Sequence, residues 1–161
     1  MKRRIDSALI VAAMLFSTGC VQQIPIQTQF NNAEHEFANK PGKATISGQA
    51  FMRRNDGVVV YAAGSPVYLT PQTPYTMEAF NRSASATGPV VFTNPDARLK
   101  DYTRVTQTNG EGRFTFSGVP DGPFIVATTV HWMAGDMRQG GDLTKLFVVT
   151  NGQGHDIIMT R

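Results

Sequence analysis

The hydrophobic pattern of this chain has a period of two over most of its length, and its clearest stretch is residues 106–130. Arg113-Phe114-Thr115-Phe116-Ser117 alternates strictly, which puts both phenylalanine rings on one face of a strand. Asn109-Gly110 before it and Pro120-Asp121-Gly122 after it are turn signals, because Asn and Gly tolerate positive φ and Pro presets the first turn position. Residues 124–132 then run on rich in Val, Thr and Ile, the composition of a central strand. Strand, turn, strand, turn, strand is the meander of an antiparallel sandwich.

The same reading extends along the chain. Residues 43–53 form the opening strand, Ile46 and Ala50 facing one way and Phe51 the other, and Arg54-Asn55-Asp56-Gly57 turns it. Residues 58–62, 67–69, 143–150 and 155–161 follow as strands, the last with Ile157 and Met159 alternating against Asp156, Ile158 and Thr160. Residues 134–142, carrying Gly135, Gly140 and Gly141, read as a flexible connection. Two segments break the rhythm. In residues 71–101, Thr73 caps a short helix with Pro74 at its first position, where a missing N–H costs nothing. Met77 and Phe80 share one face of that helix, and Glu78 and Arg82 make an i,i+4 pair on the other. Loop chemistry follows, interrupted by the apolar island Val90-Val91-Phe92. Residues 20–42, rich in Gln and Asn, read as a flexible tether, about 25 Å across as a coil and about 70 Å drawn straight. Within it, Asn32 to Lys40 predicts a short helix that Phe37 pins to the body. The fold class is therefore all-β: a single antiparallel β-sandwich over residues 43–161, with one short helix in a long insertion at residues 71–101.

Ser47-Gly48-Gln49-Ala50, Gly64-x-Pro66-Val67-x-Leu69, Thr108-Asn109-Gly110-Glu111-Gly112-Arg113-Phe114-x-Phe116 and Val119-Pro120-x-Gly122-x-Phe124 together resemble the carboxypeptidase regulatory-like domain. That resemblance implies a transthyretin-like, Greek-key sandwich of about seven strands. It brings no catalytic motif, so it implies an accessory or binding module.

Before the sandwich, Lys2, Arg3 and Arg4 precede the apolar residues 8–16, a run too short to span a bilayer. Ser17-Thr18-Gly19-Cys20 ends it, and this resembles the lipobox of bacterial lipoproteins, although Ser17 stands where Leu is usual. Residues 1–19 are then a signal peptide and Cys20, the only cysteine, is the acylated first residue of the mature chain. By the same resemblance, Val21 in place of Asp implies sorting to the outer membrane. Removing residues 1–19 takes away three basic residues and Asp6, so 15 basic and 12 acidic residues become 12 and 11 and the net charge falls to +1. With no basic run interleaved with aromatics, a nucleic-acid partner has no support.

The side chains offer little chemistry. His35, His131 and His155 have no metal-ligand spacing; His131 and His155 fall on strands that could bring them together near Asp136 or Asp156. No Gly-x-Ser-x-Gly elbow occurs, and the glycines of residues 135–141 do not follow a nucleotide-binding fingerprint, so neither a cofactor nor a metal is expected. The chain lacks the terminal Tyr-Arg-Gly-Ser that resemblance to the hydroxyisourate hydrolases of the transthyretin-like fold would require. Phe51, Phe114, Phe116 and Phe124 are expected in the core. Tyr75, Phe80, Arg82, Phe92, Trp132 and Arg138 are the candidate binding residues, on the insertion and beside the glycine-rich connection; the aromatics among them either pack the insertion down or present a recognition surface. The function expected is a non-enzymatic, outer-membrane-anchored lipoprotein that binds an envelope protein or a polysaccharide. A brace that adds a strand to a membrane assembly is the alternative, and a small-molecule hydrolase is disfavoured.

Overall fold

The structure, a computed structural model, describes residues 21–161; the expected signal peptide at residues 1–19 and the expected lipidation at Cys20 fall outside the described residues. Strand β1 (Gln22–Ile24) and helix α1 (Asn32–His35) precede the sandwich. Then come β2 (Ala44–Arg53), β3 (Val59–Tyr61), β4 (Pro66–Pro71), α2 (Pro74–Ser85), β5 (Val90–Phe92), β6 (Arg104–Gln107), β7 (Arg113–Val119), β8 (Gly122–Ala134), β9 (Met137–Val149) and β10 (His155–Met159). In the first sheet β2 is central, pairing antiparallel with β7 along its first half and with β3 at its end, while β10 joins it in parallel. The second sheet runs β6-β4-β8-β9 and is antiparallel throughout. Alternation decides which side chains meet. Ile46, Ala50 and Met52 of β2, Phe114 and Phe116 of β7, and Ile157 and Met159 of β10 face Val67 and Leu69 of β4, Phe124, Val126 and Val130 of β8, and Leu143 and Val149 of β9. The β-sandwich is the fold class that the alternation predicts, but residues 106–130 are not a meander. β6 and β8 lie in the second sheet and β7 in the first, so each turn carries the chain across the core, and β10 adds a parallel pair. Phe51, expected in the core, points to the other side of β2 and packs edge-on against Tyr61 at 6.1 Å.

Ten strands are present among the described residues in place of about seven. Two of the additions, β1 and β5, pair with each other in parallel, in register from Gln22 opposite Val90 to Ile24 opposite Phe92. The expected flexible connection at residues 134–142 is also strand. β8 and β9 stay in register until Ala134 faces Met137, so only Gly135 and Asp136 turn the chain, and Gly140 and Gly141 lie within the ladder. Glycine content there marks close packing of chain on chain: a Cβ on Gly141, whose φ is +156°, would stand 2.8 Å from the Arg161 guanidinium.

The segment expected as a tether is, over its described part, an ordered arm that packs on the insertion. Asn94 brackets Ile26, accepting from its amide at 2.7 Å and donating to its carbonyl at 3.0 Å, and so extends the β1–β5 ladder by a side chain. Glu78 accepts the amides of Gln27 (3.0 Å) and Thr28 (2.7 Å) while holding Arg82 at 2.7 Å. Farther along, Asn31 caps α1, accepting from the Ala33 amide at 3.1 Å. His35, at the end of α1, is fully buried. Its Nδ1 lies 2.8 Å from the Asn31 carbonyl oxygen and its Nε2 lies 3.1 Å from the Thr73 hydroxyl, which is itself the N-cap of α2. A carbonyl can only accept, so Nδ1 carries a proton and donates it to Asn31, and Nε2 shares a hydrogen bond with the Thr73 hydroxyl. Phe30 stacks on the imidazole at 4.1 Å between centroids, and the Arg98 guanidinium covers Phe30 at 4.7 Å. A 3-10 turn, Glu36–Asn39, then lays Phe37 against Phe124 at 5.5 Å, where Gly122 leaves room: a Cβ there would meet the Phe37 ring at 2.4 Å. The pinning role expected of Phe37 is what the structure shows.

The Glu78 carboxyl is held down to about 2 by the Thr28 side chain first and then by the Gln27 and Thr28 amides, and that of Asp96 to about 2 by the Arg98 side chain and then its amide. Both folded values are depressed, so their contribution to docking of the arm is complete above the ordinary values of 4.5 and 3.8 and is lost as pH falls toward 2. Acid titration followed by amide exchange of Gln27 and Thr28 is expected to show protection falling across that window, and Glu78→Gln is expected to flatten the fall. His35→Ala removes a fully buried ring and takes one hydrogen-bond partner each from the Thr73 hydroxyl and the Asn31 carbonyl. Urea denaturation is expected to report a loss of about 2–4 kcal/mol, and a loss below about 0.5 kcal/mol would contradict the described packing.

Candidate functional site

Beyond Val130 the β8–β9 hairpin runs past the sandwich core and its residues become exposed. Trp132 is the point of departure. By alternation it shares the inner face with Thr128 and Val130, and it is half-buried, packed in part on the core and in part bordering open space. Gln139 stands directly across the ladder on the same face. The turn after β2 approaches from the first sheet and is rigid, because the Arg54 amide donates to the Val58 carbonyl at 2.8 Å and Asp56 accepts from the Val58 amide at 3.1 Å. Between hairpin and turn lies an open cleft of about 460 Å³, lined by Arg53, Arg54, Asn55, Asp56, Trp132 and Gln139, with Arg161 along its side. Arg161 crosses β9 at its glycines and donates to the Gly140 carbonyl at 3.4 Å.

This cleft has an aromatic wall and a rim of amides, guanidinium groups and one carboxylate. The arrangement suits a ligand that is apolar on one face and hydroxylated at its edges. The C–H edges of a pyranose ring meet the electron-rich face of an indole, while hydroxyls need donors and acceptors around the perimeter. Asn55 and Gln139 supply both kinds.

A second concavity, about 720 Å³, lies between α2 and the outer face of the second sheet. Phe80 and Phe92 line it with Ile26, Tyr68, Ile125 and Thr144. Tyr75 also borders it, but its ring is buried and its hydroxyl accepts the Asp96 amide at 2.6 Å, so it braces the insertion. Of the six candidate binding residues, three therefore border this groove and Trp132 alone borders the cleft. Arg82 serves Glu78 and lines neither concavity. Arg138 faces Met133 across the ladder, one residue out of step with Trp132, and so belongs to the other side of the hairpin.

Among the described residues no group of three or more His, Cys, Asp or Glu is placed to hold a metal ion. His131 is exposed on the hairpin, His155 lies beside Phe147 at the start of β10, and His35 is enclosed in the arm. The residues that sequence reasoning missed are Arg53, Arg54, Asn55 and Asp56, Gln139 and Arg161. Alternation along β8 does put Trp132 on the Val130 face, and the turn signal at residues 54–57 was plain. What no local pattern carried was that this turn and that tip share one end of the sandwich.

No family model matches the chain, and no curated protein matches it in sequence. In structure it is similar to a candidate carbohydrate-binding protein from Pseudomonas aeruginosa, with a TM-score of 0.73 at 24% identity, over 83% of this chain and 99% of that one. That likeness is one of fold. A 3-chlorocatechol 1,2-dioxygenase from Rhodococcus opacus overlays with a TM-score of only 0.30 at 11% identity, over 87% of this chain and 64% of that one.

Proposed function

We propose that this chain is a non-enzymatic carbohydrate-binding module of the carboxypeptidase regulatory-like kind, held at the bacterial outer membrane by a lipid on Cys20. The observation that carries the binding role is the Trp132 cleft: a half-open indole on a rigid hairpin, facing a rigid polar turn. The name of the Pseudomonas protein of like fold supports a saccharide as the ligand class. The leader and Cys20 support the anchor. On this reading only Val21 separates the acylated residue from β1, so the body rests close to the bilayer surface and does not swing on a long stalk.

Trp132 is the only tryptophan, so its emission reports on the cleft alone. Titration with soluble cell-envelope oligosaccharides is expected to shift or quench that emission. Trp132→Ala is expected to weaken retention on an immobilised polysaccharide about tenfold or more, as removal of a central aromatic anchor does, with the melting temperature little changed. Binding that survives Trp132→Ala intact would contradict the assignment. Labelled palmitate is expected to enter the chain in a bacterial host and to be absent from Cys20→Ser; equal labelling of the two would refute the anchor.

A further inference from the structure

The charge of the cleft narrows the ligand further, a narrowing that rests on the saccharide reading of Trp132. Three arginines border it, Arg53, Arg54 and Arg161, against one acidic residue, Asp56; Arg53 is the exposed last residue of β2, where the strand gives way to the turn. The Asp56 carboxylate is already engaged: Arg54 Nη2 lies 2.6 Å from Asp56 Oδ2, and Asp56 Oδ1 accepts the Val58 amide. Among the described residues Arg53 and Arg161 have no Asp or Glu carboxylate within 4.0 Å. Two guanidinium groups without an acidic side chain, on the rim of an otherwise nearly balanced protein, are a local feature and not a reflection of net charge. Arg161 is also held in place, since it lies where Gly141 has no side chain and donates to the Gly140 carbonyl.

We infer that the Trp132 cleft takes an acidic saccharide, one whose anionic oxygens are met by Arg53 and Arg161 while a sugar ring lies on the indole. A guanidinium presents a planar fork of donors that matches a carboxylate or a phosphate bidentately, and the two sources of negative charge on a glycan share that chemistry. A neutral sugar satisfies the indole, Asn55 and Gln139 but leaves both arginines without a counter-charge from the ligand. The partly exposed site makes the attraction sensitive to salt.

The test uses Trp132 emission in the purified chain, with an oligouronate, a sugar phosphate and a neutral glucan oligomer of matched length as probes. The expected result is that one or both acidic probes bind more tightly than the glucan, that this advantage shrinks as sodium chloride rises from about 0.02 M to about 0.5 M, and that Arg53→Gln and Arg161→Gln each weaken acidic binding about fivefold to tenfold at low salt. Which acidic probe binds identifies carboxylate or phosphate as the recognised group. Arg138→Gln removes the same charge from the other side of the hairpin and is expected to leave binding unchanged; if it weakens binding as much as Arg53→Gln, the attraction is diffuse and the inference fails. Equal, salt-independent binding of glucan and acidic probes would overturn the inference while leaving a saccharide site standing. A response to none of the three would overturn both.

Discussion

The arm and the insertion, which lie outside the two sheets, depend on one buried hydrogen bond, between His35 Nε2 and the hydroxyl of Thr73. A fully buried imidazole is tolerated only when both nitrogens are matched, and here the partners come from different parts of the chain. Asn31 belongs to the arm, whereas Thr73 is the cap of α2, whose own hydrogen bonds close a box with Thr76. The bond therefore cannot form until arm and insertion are both folded. Arg98 over Phe30, Glu78 on the Thr28 amide and Asn94 on the Ile26 amide repeat that dependence at three more points. The outcome is a buttress in which two segments with weak structure of their own stabilise each other on the outer face of a sandwich.

The buttress bears on where recognition happens. An insertion of this length between two strands is usually a mobile or binding element, but here Tyr75, Glu78, Asn94 and Asp96 are all engaged in internal contacts. The Trp132 cleft stands on the opposite kind of structure: the tip of a hairpin whose ladder runs unbroken to a two-residue turn. A long, paired ribbon is a stiff support, and it carries Trp132 past the core without giving up the packing of its inner edge. Binding by such a site loses little to ordering, so a modest number of contacts suffices.

Period-two alternation with turn residues at its nodes is a local property, and for that reason β2, β4, β7, β8 and β10 were legible in the residues, from Ala44 at one end to Met159 at the other. So was α2, since Thr73 and Pro74 state a helix start by themselves. The arm was not, because β1 is three residues long and owes its pairing entirely to β5, far along the chain. Gln and Asn, which read as tether composition, here act as side-chain and backbone pairing groups. The glycines at 140 and 141 misled in the same way: they read as looseness, but Gly140 makes room for the Val130 backbone and Gly141 for Arg161. Trp132 was singled out as a loop-edge aromatic, yet its neighbours Arg53 and Arg161 come from distant parts of the chain and share no local pattern with it.

A locked buttress and a separate recognising cleft respond differently to a ligand, and amide hydrogen exchange with and without a bound polysaccharide tests that separation directly. The amides of β1, α1 and α2 are predicted to be protected in the free protein and unchanged on binding, with new protection confined to the tip of β8–β9 and the turn at residues 54–57. Unprotected amides in the arm of the free protein, or binding-induced protection centred on α2 and β5, would contradict it.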